Sequence, residues 1–307
     1  MRHWLKAGVL GLALAGAIAP QAWALPAVED HLPAFLVTVG EGTGEAWMAY
    51  ESAYSRSLDQ LFYQDRTASQ KLALIRQAIG QGVPVAQVRT FTQRWRADFD
   101  LVAARMEQAY GPLSGLKVSA WYCADPRLSV VGALDGQPTL ALNVRPMLPY
   151  DPSRVRVLLA QELFRYYANR GLGANPEPMT LSRRLQFEGL ALAAMEKAVP
   201  GLAPHQYLQI PPATYKAFER NQKTIARGLK HALERPESAN AMARFFGAGF
   251  GDPWPAGSGR YVAYWLAKHT VRDRGPLELN VLPSRDYLFL TQTALDDMAK
   301  VTEGVTP

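Results

Sequence analysis

From Trp47 onward the apolar residues Trp47, Tyr50, Tyr54, Leu58, Leu61 and Phe62 recur at three- and four-residue steps. That spacing places them on one stripe of a helix. A second helix is predicted from Thr67 or Ser69 to Ile79, stopped by Gly80 and Gly82. A third runs from about Val85 to Tyr110 and is closed by Gly111-Pro112. The pattern then changes to short apolar runs, Leu116 to Cys123, Leu128 to Leu134 and Pro138 to Val144, which read as strands. Asp135-Gly136 between the last two is a two-residue hairpin turn, because a type I′ turn needs positive φ at both central positions. Helical spacing returns at about 152–169, 180–198, 213–233, 238–246, 259–271 and 284–300. Residues 25–43 carry proline, glycine and no period, and are expected to be an extended lead-in. The expected fold class is therefore α+β: a mostly helical domain over 44–307 with a small antiparallel sheet in its middle.

The N-terminus changes where this fold is expected to work. Arg2 and Lys6 precede an apolar run from Ala7 to Ala19, followed by Pro20-Gln21 and the small-x-small site Ala22-Trp23-Ala24. These are the parts of a cleavable secretory signal, residues 1–24. The run is shorter than the roughly 20 residues that span a bilayer, and no later segment is apolar for long enough to cross one. Removal of Arg2 and Lys6 lowers the net charge from the +6 of the whole chain to +4. The remaining basic residues are scattered along polar helix faces, with no grouping among aromatics, which argues against nucleic-acid binding. The expectation is an exported, soluble, periplasmic protein with no membrane span after cleavage. Cys123 is the only cysteine, so no intramolecular disulfide is available and the thiol reads as a buried structural residue.

The chemistry concentrates between Pro138 and Gly189. A strand (Thr139-Leu140-Ala141-Leu142-Asn143-Val144) leads through Asp151-Pro152 into a helix containing Gln161-Glu162-Leu163-Phe164-Arg165. A following helix carries Glu188-Gly189-Leu190-Ala191, and further on come Gly259-Arg260-Tyr261-Val262-Ala263-Tyr264. This order resembles the gluzincin (thermolysin-like) zinc peptidases, in particular a family of predicted zinc-dependent bacterial proteases, over about 116–300. The resemblance implies a zincin-like fold in which an edge strand precedes an H-E-x-x-H helix and a later helix supplies a glutamate ligand within E-G-x-A. Two histidines four apart share one helix face and grip zinc, while the glutamate between them serves as general base.

Here the motif is degenerate. Gln161 and Arg165 stand at the histidine positions, while Glu162 matches the base and Glu188 the third ligand. An amide is a poor zinc ligand and a guanidinium has no lone pair to give. His31, His205, His231 and His269 are widely separated and offer no replacement pair. No zinc or other cofactor is therefore expected. Arg165 is expected to stand in for the metal's charge and to lock the two helices through Glu188. Tyr261 and Tyr264 are candidate cleft tyrosines, with Ala263 replacing the family's second glycine.

These residues imply a non-catalytic relative of a zinc peptidase with a binding or adaptor role. A peptide or envelope protein would add to the edge strand Thr139 to Val144 by main-chain hydrogen bonds. Two alternatives stay open. One is an active hydrolase, using unusual metal ligands or an acid/base pair of Glu162 and Glu188. The other is a plain helical structural protein.

Overall fold

The computed structural model describes residues 25–40, 43–171, 180–233, 245–247, 256–270 and 282–300. The expected signal segment, the tripeptide from Pro253 and most of the helix expected over 238–246 lie outside them.

The lead-in is not simply extended. It forms strand β1 (Ala27–Asp30) and helix α1 (Leu32–Thr38). Four half-polar residues carry no period to read, and their order comes from pairing in parallel with β2 (Lys117–Trp121). Asp30 fixes the corner between them: its Oδ1 accepts from Leu32 N at 2.9 Å and its Oδ2 from Trp95 Nε1 at 3.0 Å.

The stripe from Trp47 to Phe62 is divided into α2 (Gly44–Ala53) and α3 (Ser55–Leu61). The break falls at Tyr54, whose ring meets His31 and Trp121 edge-on at 5.4 and 5.6 Å. This tertiary contact overrides a continuous local period. Helix α4 (Ala68–Gly80) opens with a capping box in which Thr67 and Gln70 satisfy each other's backbone N–H. Helix α5 (Val85–Tyr110) ends at Gly111, whose φ of 92° suits glycine.

The sheet has the order β1-β2-β4-β3, with β3 at Ser129–Leu134 and β4 at Gln137–Asn143. It is mixed, not antiparallel: β1/β2 and β2/β4 are parallel and only β3/β4 is antiparallel. Asp135 and Gly136 have φ of 51° and 81°, as the hairpin turn requires. Strand β4 is thus an inner strand, and the expected edge at Thr139 to Val144 is corrected. The outer strands are β3, beside β4, and β1 at the opposite edge. Every residue from Thr139 to Val144 is buried, the polar Thr139 and Asn143 included, as in a strand covered on both faces.

One face of the sheet carries Trp121, Cys123, Leu134 and Ala141 against Leu58, Leu61 and Phe62. Cys123 is fully buried, and burial pushes its thiol pKa up, as a structural thiol's should be. Val118, Ala120, Leu140 and Leu142 belong to the larger core shared with α5, α6 (Pro152–Gly171) and α7 (Leu181–Ala198). Around α7 pack α6, α10 (Ser258–Thr270) and α11 (Ser284–Lys300), while α8 (Pro204–Leu208) and α9 (Pro212–Leu233) close the far side. No helix among the described residues is long and apolar enough to cross a membrane.

A buried carboxyl in the N-terminal core gives a pH dependence. Glu51 Oε1 accepts from Tyr63 OH at 3.1 Å and from Trp47 Nε1 and Ala124 N at 3.3 Å, while its Oε2 has no partner. Burial raises its pKa above 4.5, outweighing those hydrogen bonds and the more distant Lys71. The folded state therefore holds a proton that the unfolded state releases above about pH 4.3. Stability attributable to this group is full below that pH and falls as pH rises through the folded value, by at most about 1.4 kcal/mol per pH unit. Thermal melts across pH 5 to 8 should show Glu51→Gln flatter than the parent. Equal slopes would mean that Glu51 is charged throughout.

Candidate functional site

Helix α6 starts where Asp151 Oδ1 accepts from Ser153 N at 2.8 Å and Arg154 N at 3.0 Å. Its apolar residues Val155, Leu159, Leu163 and Phe164 anchor it in the core. That anchoring buries Gln161 and Glu162 in mid-helix, where Glu162 is 3 % exposed. A buried carboxylate needs donors, and Glu162 has two. Ser129 Oγ, on β3, donates to its Oε2 at 2.6 Å. Arg165 Nη1, one turn along the same helix, donates to Oε1 at 2.8 Å and Oε2 at 3.1 Å.

Helix α7 is capped by Thr180, whose side chain accepts from Arg183 N at 3.2 Å. It is buried along most of its length, which takes Glu188 inside as well. Arg184 Nη2 pairs with Glu188 Oε1 at 2.6 Å, and Arg260 Nε on α10 lies 4.0 Å from Oε2. Arg184 also lies over the Phe246 ring, 5.3 Å from its centroid. Burial lowers the Arg260 pKa; Glu188 opposes that, and repulsion from Arg165 and Arg184 adds to it. Its Nε and Nη2 are buried and make no hydrogen bond. Arg260 thus feels Glu188, Arg184 and Arg165 together, which ties the two carboxylate pairs into one electrostatic cluster.

The approach of α10 to α7 is set by Gly189. A Cβ there would collide with the Ala263 carbonyl oxygen and lie 3.2 Å from its carbon and 3.4 Å from Ala267 Cβ. Glycine lets the two backbones meet, and Arg260, one turn before Ala263, arrives beside Glu188. Gly189→Ala should force the helices apart and cost about 1–3 kcal/mol, measurable by chemical denaturation. An unchanged midpoint would show that the helices can slide at no cost.

Two expectations about side chains are corrected. Arg165 holds Glu162 of its own helix, while the partners of Glu188 are Arg184 and Arg260. The three-residue step within α6 is the shorter reach. Tyr261 and Tyr264 are not cleft residues beside these carboxylates. Tyr261 OH donates to Gln222 Oε1 at 2.9 Å, and its ring stacks on Phe218 at 5.1 Å. Tyr264 is also buried; burial raises its pKa, with Glu196, Tyr215 and Tyr207 adding to the effect, and Lys268 lies over its ring. Both therefore belong to packing on the α8 and α9 side.

Ser129, Arg184 and Arg260 were not singled out from sequence. Arg184 had a signal, standing four residues before Glu188 on a predicted helix. Arg260 lay inside the Gly259-x-Tyr261 motif but was overshadowed by its tyrosines. Ser129 had no signal, since only the tertiary fold places β3 beside α6.

No family model, curated protein or solved structure matches this chain.

The donor set does not suit zinc. At the motif positions stand an amide, a carboxylate engaged by Arg165, and a guanidinium. Among the described residues no three His, Cys, Asp or Glu side chains are grouped so as to hold a metal ion. Acid/base chemistry has little to work with, because both Glu162 oxygens already accept from Arg165.

Proposed function

We propose that this protein is an exported, non-catalytic relative of the zinc peptidases that binds extended peptides. The observation that carries the reading is the pairing of Glu162 with Arg165, a charged donor from the position of a family histidine. A guanidinium there supplies fixed positive charge where a peptidase would hold its metal. The second carboxylate, Glu188, is likewise held by arginines. Such a site can orient a ligand without offering a nucleophile to cleave it.

The outer strand β3 is the surface for main-chain recognition. Asn143 N donates to Leu128 O at 2.9 Å, so the alternation of an antiparallel ladder turns the N–H and C=O of Ser129, Val131 and Ala133 away from β4. Among the described residues no strand pairs with that side. A peptide can add there by backbone hydrogen bonds.

Val131→Pro tests this, because it deletes an outward N–H that the sheet does not use. A random hexapeptide library on beads should yield peptides retained by the parent protein and released by the folded Val131→Pro variant. Retention unaffected by the substitution would place binding elsewhere. About one zinc per purified chain, with cleavage of the peptides, would overturn the non-catalytic reading. N-terminal sequencing of the exported protein should begin at Leu25, after Ala24.

A further inference from the structure

We propose that the arginine cluster makes the β3 site selective for peptides carrying an acidic side chain. The inference rests on the peptide-binding reading above and names the chemistry of its partner.

The cluster is unbalanced in charge. Among the described residues, Arg165, Arg184 and Arg260 face two carboxylates, Glu162 and Glu188, which leaves one positive charge in excess. The Arg260 guanidinium makes no hydrogen bond through Nε or Nη2, and among the described residues its nearest carboxylate oxygen is 4.0 Å away. Holding a cation out of water with so little compensation is costly, and a further anion nearby offsets that cost. The two other arginines can reach such an anion, because the Arg165 and Arg184 side chains are 39 % and 37 % exposed.

The free strand delivers a ligand to this charge. Ser129 reaches Glu162, so the β3 face bearing Ser129, Val131 and Ala133 is the one turned toward α6. Val131 on that face is 38 % exposed. A peptide paired with β3 projects alternate side chains to the same side, where Arg165 stands beside Glu162. Charges at the two ends of the strand are already matched, by Arg127 with Asp125 at its start and Arg56 with Asp135 at the hairpin. Among the described residues the least compensated charge is that of Arg260 on α10, and Arg165 on α6 adds to the same positive field. A carboxylate there accepts charge-assisted hydrogen bonds from Arg165 and Arg184, while a lysine would meet like charge.

The bead-bound hexapeptide library provides the test, using the full exported chain. Peptides retained by the parent should be enriched in Asp and Glu at one position. A selected acidic peptide should bind roughly tenfold more tightly than its amide counterpart, tenfold being about 1.4 kcal/mol, because the carboxylate makes a charge-assisted hydrogen bond that the amide does not. Raising salt should shrink that ratio, and the neutral peptide should bind about equally at both ionic strengths. Arg165→Gln should remove the preference and Arg165→Lys should keep part of it. If Arg165→Gln does not fold, the parent's library and salt results decide alone. Retained peptides without acidic enrichment would overturn the inference and leave peptide binding standing. No retained peptides at all would overturn both.

Discussion

Glu188→Ala should destabilise the protein by roughly 3 kcal/mol, more than any other single substitution in the cluster. The loss comes from what is left behind. Glu188 is buried, and among the described residues the Arg260 guanidinium has no other carboxylate oxygen within 4.0 Å. Without Glu188, Arg260 keeps the repulsion of Arg165 and Arg184 and loses the charge that opposes it. Arg184 is part exposed and can turn to water, so Arg260 accounts for most of the effect. A double-mutant cycle separates the two. Glu188→Ala with Arg260→Leu should recover most of the lost stability, because an uncharged apolar side chain carries no charge-desolvation cost. Glu188→Ala with Arg184→Leu should recover little. Urea unfolding of the parent, the three single variants and the two doubles measures this, and equal recovery in both doubles would show that the pairs are interchangeable.

The same cluster shows what the sequence could and could not disclose. Periodicity placed the long described helices well, because each has an apolar face. The hairpin at Asp135-Gly136 was legible because the turn's positive φ angles demand particular residues. The order of the strands was not. Putting β4 inside needs parallel pairing with β2 and then β1, contacts far apart in sequence that leave no local trace. The run Thr139 to Val144 did hold a clue in Leu140-Ala141-Leu142, three apolar residues in a row without the alternation of a half-exposed edge. The motif residues were legible as a set but not as pairs. Arg165 was assigned to Glu188 across two helices, whereas the three-residue step within α6 gave it Glu162. Arg184 and Arg260 took Glu188 instead, one by helical spacing and the other through the contact that Gly189 permits.

Gln161→His with Arg165→His should give a protein that binds zinc in about 1:1 ratio, from a parent with no comparable affinity. The two substitutions place imidazoles four residues apart on α6, the spacing at which both reach one ion. They also remove the guanidinium that occupies both oxygens of Glu162. The remaining ligand, Glu188, is bound by Arg184 at 2.6 Å and lies near Arg260, and both cations repel a metal. Affinity in the double variant should therefore fall short of a peptidase site. Adding Arg184→Ala should strengthen it by freeing one carboxylate oxygen. The readout is a rise in melting temperature with zinc, worth about 2.7 kcal/mol when zinc is at a hundredfold excess over Kd. Magnesium, which prefers octahedral oxygen ligands, should give no such rise. A folded double variant that ignores zinc would mean that Gln161, Arg165 and Glu188 never shared a metal-sized space. Peptidase ancestry would then lose its main support, and the arginine–carboxylate cluster would have to be explained as structure in its own right.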